Sequence, residues 1–273
     1  MKDQDMKKMT SATVIRNEEI ACDIFSLWLE TDLAKGVIPG QFVGVYPNNA
    51  STLLPRPISI CEVDEKKTAI RLVYRIVGKG TNEMSHLKTG RAVRILGLLG
   101  NGYDITRATD KKIALMAGGI GIPPMLELAK RLSGLEEDIP GKRIGQSLDI
   151  FLGYRDNDTF LIEELEQYGK VHVATEDGSV GTKGNVMDAL EGSGLSTDII
   201  CACGPMPMLR AIKKYSEEKG IDAYISLEER MACGVGACLG CVCKTVEKDS
   251  HSHVNNARIC TDGPVFEAKE VAI

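Results

Sequence analysis

Apolar and polar positions alternate in short runs through the first hundred residues. In the stretch from Thr68 to Val77, Ile70, Leu72, Tyr74 and Ile76 fall on one face and Arg71, Val73 and Arg75 on the other, the period-two pattern of a half-buried strand. Similar runs from Asp23 to Glu30, Phe42 to Tyr46, Ile58 to Glu62 and Ala92 to Leu96 predict four more strands. Gly and Pro separate them, at Pro39-Gly40, Pro47, Pro55 and Gly78 to Gly80. No helix-length period competes, so residues 8–107 are expected to form a small antiparallel β-barrel or sandwich.

After Asp110 the pattern changes. Lys112 to Ala117 reads as a buried strand, Gly118 to Gly121 as a turn, and Pro123 to Leu132 as a helix. Strands are predicted at Leu148 to Gly153, Lys170 to Ala174 and Asp198 to Cys203, and helices at Phe160 to Gln167, Asn185 to Glu191 and Met206 to Glu218. That alternation predicts a parallel α/β unit over residues 108–222. From Ala223 onward a cysteine-rich loop marks a third, short unit reaching residue 273, so the expected fold class is multidomain α+β.

Composition narrows the function. Of 273 residues, 43% are hydrophobic and 26% charged with signs mixed, which excludes extensive disorder. A net charge of −5 without a basic stripe excludes nucleic acid as a partner. The first ten residues lack the apolar core of a signal peptide, no run approaches the length of a membrane span, and a cytoplasmic protein is expected. The nine cysteines are an odd count, and reducing surroundings would keep those not bound to metal as thiols.

Three of those cysteines stand close together in Glu-Glu-Arg-Met-Ala-Cys-Gly-Val-Gly-Ala-Cys-Leu-Gly-Cys, as Cys233, Cys238 and Cys241, and Cys260 follows after 18 intervening residues. The four-then-two spacing with a distant fourth cysteine is the plant-type pattern of a 2Fe-2S cluster, in which thiolates hold the iron. Gly234, Gly236 and Gly240 leave room for backbone amides to approach the sulfurs. A four-cysteine zinc site is the competing reading, but it normally pairs cysteines in two tight hairpins, and only one such pair exists here. Cys243 would share a strand face with Cys241 but exceeds the quota of four ligands. His251 and His253 fall in a polar insertion, Glu247 to Asn256, expected to be a solvated loop, where a Rieske-like His ligand stays open. Cys22, Cys61, Cys201 and Cys203 lie in apolar contexts and are expected to be buried thiols.

Four further segments carry a resemblance. Leu54-Pro55-Arg56-Pro57-Ile58-Ser59-Ile60 resembles the flavin motif of the ferredoxin reductase family, where an arginine forks onto the flavin phosphate and a hydroxyl residue lies near the reactive ring. Val73-Tyr74-Arg75 with Gly78-Lys79-Gly80-Thr81 resembles the strand and glycine turn that embrace FAD there, Gly80 and Thr81 offering donors to a phosphate. Met116 to Met125, with Gly118, Gly119 and Gly121 between strand and helix, would let backbone approach a pyrophosphate at a helix N-terminus, although Pro124 departs from the GxGxxG fingerprint. Cys203-Gly204-Pro205-Met206 resembles the segment at the nicotinamide end of the family's pyridine nucleotide site. Each segment alone is compatible with an ordinary strand or turn.

Taken together they resemble, over nearly the whole chain, the electron transfer subunits of NAD-dependent dihydroorotate dehydrogenase of pyrimidine biosynthesis. Glu228 to Cys238 and Cys260 to Phe266 carry the more specific part of the match, and the interval before Cys260 is a few residues longer than usual. The resemblance implies FAD, a 2Fe-2S cluster and NAD as cofactors, and an FMN-containing catalytic subunit as partner in a heterotetramer of two copies of each. It implies no catalytic side chain in this chain and no membrane. A flavin and iron-sulfur subunit of a hydrogenase, or an NADH-dependent ferredoxin:NADP oxidoreductase, shares the same order of units and is the alternative enzyme. A zinc-stabilised nucleotide-sensing module is the non-enzymatic one.

Overall fold

The computed structural model describes residues 8–47, 52–134, 144–248 and 253–273. Six antiparallel strands, β1 (Lys8–Ala21), β2 (Ile24–Glu30), β3 (Phe42–Tyr46), β4 (Arg56–Val63), β5 (Ala69–Arg75) and β6 (Ala92–Leu99), close into a barrel in the order β1-β2-β5-β4-β3-β6. Closure leaves no open sheet edge. Leu27, Leu29, Val43, Val45, Ile60, Ile70, Leu72, Tyr74 and Ile95 fill its interior.

The alternation in β5 is as expected, with Ile70, Leu72 and Tyr74 inside the barrel. Its other face is also buried, because Val73 packs against the α/β body and Arg71 is only 6% exposed. Two elements of this region differ from the sequence reading. β1 is strongly polar, with only Ala12 and Val14 buried, so no apolar run announces it. Gly78 to Gly80 is not simply a turn between strands: it opens a helix, α1 (Lys79–Ser85), too short for a period to show.

The second unit is a seven-stranded sheet in the order β10-β9-β8-β7-β11-β12-β15. Its strands are β7 (Lys112–Gly118), β8 (Ser147–Tyr154), β9 (Lys170–Thr175), β10 (Thr182–Lys183), β11 (Ile199–Cys203) and β12 (Asp222–Ser226), all parallel, with β15 (Val265–Glu267) antiparallel at the edge. Helices α2 (Pro123–Ser133), α3 (Ile162–Glu166), α4 (Val186–Ser193) and α5 (Met206–Lys219) connect them. Ile113, Leu115 and Ala117 of β7 face one core with α2, and Ala114 and Met116 face the other with α4 and α5, which explains the unbroken apolar run. α2 is buried on nearly every side because it lies between this sheet and the barrel strand β4.

The cysteine-rich segment adds a hairpin, β13 (Val242–Lys244) with β14 (Asn256–Arg258), and returns to the large sheet through β15. Strand β12 crosses the expected limit at 222/223, and β15 joins it from the third unit. Cys241, Ile259 and Cys260 share a core with Phe42, Leu96 and Leu99 of the barrel and Met116 of the sheet. The three units are thus packed into one another. Cys61, Cys201 and Cys203 are buried as expected, but Cys22 is exposed, because it lies in the turn between β1 and β2. His253 is exposed, whereas His251 lies outside the described residues. No helix among the described residues is long and apolar enough to cross a membrane.

Candidate functional site

One cleft of about 780 Å³ brings all three units together, a volume within the range of cofactor sites. The barrel supplies Arg56, Pro57, Ile58 and Ser59 from the start of β4, Val73, Tyr74 and Arg75 from the end of β5, and Thr81 from α1. Ile120 comes from the glycine turn after β7, and Ser226 to Met231, Ile259 and Pro264 come from the C-terminal segment. The two flavin segments of the sequence therefore line one surface. Burial holds the Tyr74 phenol well above its ordinary range, with a long hydrogen bond to Asn17 opposing it only weakly.

Gly80 does not line this cleft, but its role is steric. A Cβ there would stand 2.2 Å from Nε of Arg56, so only glycine lets the guanidinium lie against the first turn of α1. Arg56 is steadied by donating from Nη1 to the Leu54 carbonyl at 2.6 Å. The Thr81 hydroxyl is committed to the helix start, accepting from the N–H groups of Val77 at 2.9 Å and Gly78 at 3.2 Å. It presents an engaged hydroxyl to the cleft.

The nucleotide segments meet at the switch point of the sheet. β7 has β8 on one side and β11 on the other, and the crevice beyond the carboxyl ends of such strands is where α/β sheets bind ligands. There Gly121 abuts Cys203 and Gly204 so closely that a Cβ on it would be 2.3 Å from the Cys203 carbonyl oxygen. Gly118 lies against Pro205 and Met208, and Gly204 against Met208. Gly119 adopts φ +54 with open space beside it, and Met206 begins α5. Pro123 and Pro124 start α2 without sacrificing a hydrogen bond.

Cys203 links crevice and cleft. It is paired in register with Ser226, a residue of the cleft wall. Burial, with a smaller contribution from the Glu228 charge and against a hydrogen bond from Ser226, pushes its thiol up to about 12. Glu228 is open to the cleft yet hemmed in by its walls, and the loss of hydration raises its carboxyl above the ordinary range. Buried in this way, the thiol is held in its neutral form.

The cysteine loop is built for thiolates. The N–H groups of Val235 and Cys238 donate to the Cys233 sulfur at 3.4 Å each, and Gly240 donates to the Cys238 sulfur at 3.4 Å. What burial Cys233 has acts to raise its thiol, but these donors outweigh it and bring it down to about 6. Gly234 and Gly236 take φ +71 and +83, which the loop needs to turn its amides inward. Cys238 is exposed, Cys233 half-buried, and Cys241 and Cys260 are buried and joined through the Ile259 N–H, which donates to the Cys241 carbonyl at 3.0 Å. Among the described residues, no group of three or more His, Cys, Asp and Glu side chains is already placed to hold a metal ion. The donor set, four cysteines with amides aimed at two of their sulfurs, fits a cluster of thiolate ligands.

Comparison with known proteins decides the family. The chain is 40% identical, over 267 residues, to the electron transfer subunit of dihydroorotate dehydrogenase B (NAD(+)) from Listeria monocytogenes, covering 97% of this chain and 99% of that one. This chain belongs to that family of electron transfer subunits. The subunit of the same name from Bacillus mycoides is 41% identical over 273 residues, 98% of this chain and 100% of that one. Residues 228–272 match the iron-sulfur cluster binding domain of dihydroorotate dehydrogenase B, and residues 115–214 the oxidoreductase NAD-binding domain. A solved structure of an NADH-dependent reduced ferredoxin-NADP oxidoreductase superposes with a TM-score of 0.80 at 26% identity, covering 98% of this chain and 91% of that one. It shares the architecture, but its lower identity does not favour the alternative enzyme. FAD, a 2Fe-2S cluster and NAD are the cofactors of this architecture.

The sequence reading missed the far wall of the cleft. From the sequence, Glu228 to Met231 belong only to the cysteine loop and Ile120 only to the nucleotide turn, while Phe42 and Ile259 belong to no site. For Glu228 to Met231, Ile259 and Ile120 the one sequence signal is position, just before Cys233 and Cys260 or inside the glycine turn, and Phe42 in β3 carries none.

Proposed function

We propose that this chain carries electrons between an FMN-containing subunit that oxidises dihydroorotate to orotate and NAD+, within pyrimidine biosynthesis. The observation that carries the proposal is the common cleft: the flavin segments Arg56–Ser59 and Val73–Arg75 form one wall, and the residues leading into Cys233 and Cys260 form the other. A group seated there lies beside the cysteine loop and beside Cys203 at the nucleotide crevice. FAD exchanges electrons singly or in pairs when bound, which matches a one-electron cluster to a nicotinamide that takes only a hydride.

Residues 8–107 hold the flavin in this account, with Arg56 on its phosphate and Ser59, Tyr74 and the backbone of β5 along it. Residues 108–222 hold NAD, Gly118, Gly119 and Gly121 giving backbone access at the start of α2, and Cys203 to Met206 closing the nicotinamide end. Residues 223–273 hold the cluster through Cys233, Cys238, Cys241 and Cys260. Cys238 and the exposed Val235 and Leu239 turn the cluster loop outward, where the catalytic subunit docks. The expected assembly has two copies of each subunit, and a reducing cytoplasm suits a chain with thiols and a thiolate cluster. No side chain here acts as acid or base; the partner removes the substrate proton. Anaerobic mixing with the FMN-containing subunit should yield NAD+ reduction dependent on dihydroorotate. A mixture that binds tightly yet leaves NAD+ unreduced would refute the proposal.

A further inference from the structure

At the end of β4 the backbone of Val63 is gripped by two charged side chains of α2. The Val63 N–H donates to Oε2 of Glu127 at 3.0 Å, and Nζ of Lys130 donates to the Val63 carbonyl at 2.9 Å. Glu127 is fully buried and Lys130 is 7% exposed, while Nε of Arg131 donates to the other oxygen of Glu127 at 2.9 Å. Burying such groups is unfavourable unless they are paired and hydrogen-bonded, and apolar side chains would hold two surfaces together as well. What apolar contact does not supply is register. Two directed hydrogen bonds to one residue's backbone fix where the helix stands along the strand.

The two elements so joined carry the two cofactor segments at their other ends. α2 starts directly after Gly118 to Gly121, and Glu127 lies about 6 Å along its axis from Pro123. β4 starts with Arg56 to Ser59, and Val63 follows Ser59 by about 13 Å of strand. A second tie lies at the same corner: Arg71 of β5 pairs with Glu62 at 3.2 Å and with Glu164 of α3. The barrel and the nucleotide-binding body are therefore tied together at the end of β4 opposite to its cleft residues Arg56 to Ser59.

We propose that Glu127 and Lys130 are positioning residues for hydride transfer, setting the nucleotide turn at a fixed distance from the flavin strand. This rests on the flavin lying at Arg56–Ser59 and the nucleotide at Gly118–Gly121. In the step they serve, a hydride with both electrons leaves the reduced flavin and forms a C–H bond at the nicotinamide of NAD+; in the reverse direction, which the test below follows, that C–H bond of NADH breaks and the hydride passes to the oxidised flavin. Small misplacements of the reacting atoms slow such a step steeply, about 100-fold for 1 Å.

The test uses the FAD-loaded protein with Glu127→Ala, Glu127→Gln and Lys130→Met, mixed anaerobically with NADH in stopped flow. The readouts are flavin reduction rate, its isotope effect with C4-deuterated NADH, and the charge-transfer absorbance of the NADH complex. Glu127→Ala and Lys130→Met should keep FAD content and NADH affinity while slowing hydride transfer by about 10- to 100-fold and weakening the charge-transfer band. Glu127→Gln keeps an acceptor for the Val63 N–H and should recover most of the rate. A Lys130→Met protein with wild-type rate and charge-transfer band overturns the proposal, as does a Glu127→Gln protein as slow as Glu127→Ala. Should Glu127→Ala fail to fold, Lys130→Met, which keeps the aliphatic stem, decides alone. Failure of the underlying site placement reads out differently: Arg56→Ala and Gly121→Ala would then leave FAD and NADH binding intact.

Discussion

A methyl group added at Gly80 probes the flavin site without removing any charge. Its carbon would stand 2.2 Å from Nε and 2.5 Å from Cζ and Nη2 of Arg56. Non-bonded carbon contacts settle near 3.5 Å or beyond, so the guanidinium must retreat by roughly 1.3 Å. The obstructed atoms end a flexible side chain, so the backbone need not move. Gly80 is the second residue of α1, and alanine is favoured over glycine in a helix by up to about 1 kcal/mol. Gly80→Ala should therefore leave the apoprotein as stable as before or slightly more so. Flavin binding moves the other way. A hydrogen bond to a charged group is worth about 1.5–3 kcal/mol, so losing the Arg56 contact with phosphate should raise the Kd for FAD about 10- to 100-fold. Titrating apoprotein with FAD by fluorescence quenching, beside urea unfolding of the apoprotein, reads both quantities. Wild-type FAD affinity would exclude this role for Arg56, and a stability loss beyond about 1 kcal/mol would mean that the backbone, not the guanidinium, had shifted.

Gly121→Ala meets backbone instead, with the new carbon 2.3 Å from the Cys203 carbonyl oxygen. It should cost about 1–3 kcal/mol in urea unfolding and weaken NADH binding at least about tenfold while FAD stays bound. Cys238→Ser removes the sulfur that accepts from the Gly240 N–H, and should abolish the cluster EPR signal on reduction while FAD is retained; an unchanged signal would count against the ligand assignment. Asp64 accepts from the N–H groups of Thr68 at 2.7 Å and Ala69 at 2.6 Å, and these bonds outweigh burial to hold its carboxyl below the ordinary range. A carboxyl lowered on folding stabilises above its unfolded value near 3.9 and loses that contribution as pH falls through the folded value. Asp64→Ala should thus cost roughly 1 kcal/mol at neutral pH and progressively less below about pH 4, measured by paired urea curves.

Where chemistry follows from local pattern, it could be read before the fold. The continuous apolar β7 predicted its environment and the period-two run of β5 its inward face, though not the burial of the other, and the strand-turn-helix around Gly118 to Gly121 is present as read. Other features depend on packing that no local pattern encodes. β1 is polar because it needs only two inward residues to close the barrel, and α1 contains one large apolar side chain, Met84. The closeness of Gly80 to Arg56 arises from residues separated by two strands. Likewise, Glu127 and Lys130 read as ordinary helix-surface charges until β4 is laid against α2. Ile259 and Met231 join the cleft only because β15 returns the cysteine segment to the sheet.

In the proposed relay the flavin stands between the cluster and the nicotinamide, so NADH, driving the path in reverse, reaches the cluster only through it. Anaerobic reduction by NADH, followed by EPR at low temperature, tests it in the purified chain with and without FAD, the FAD-free form being prepared through Arg56→Ala and then reconstituted with excess FAD. A reduced 2Fe-2S signal from NADH is expected only when FAD is bound, with dithionite giving the signal in both forms. Reduction of the cluster by NADH at equal rate without FAD would contradict it.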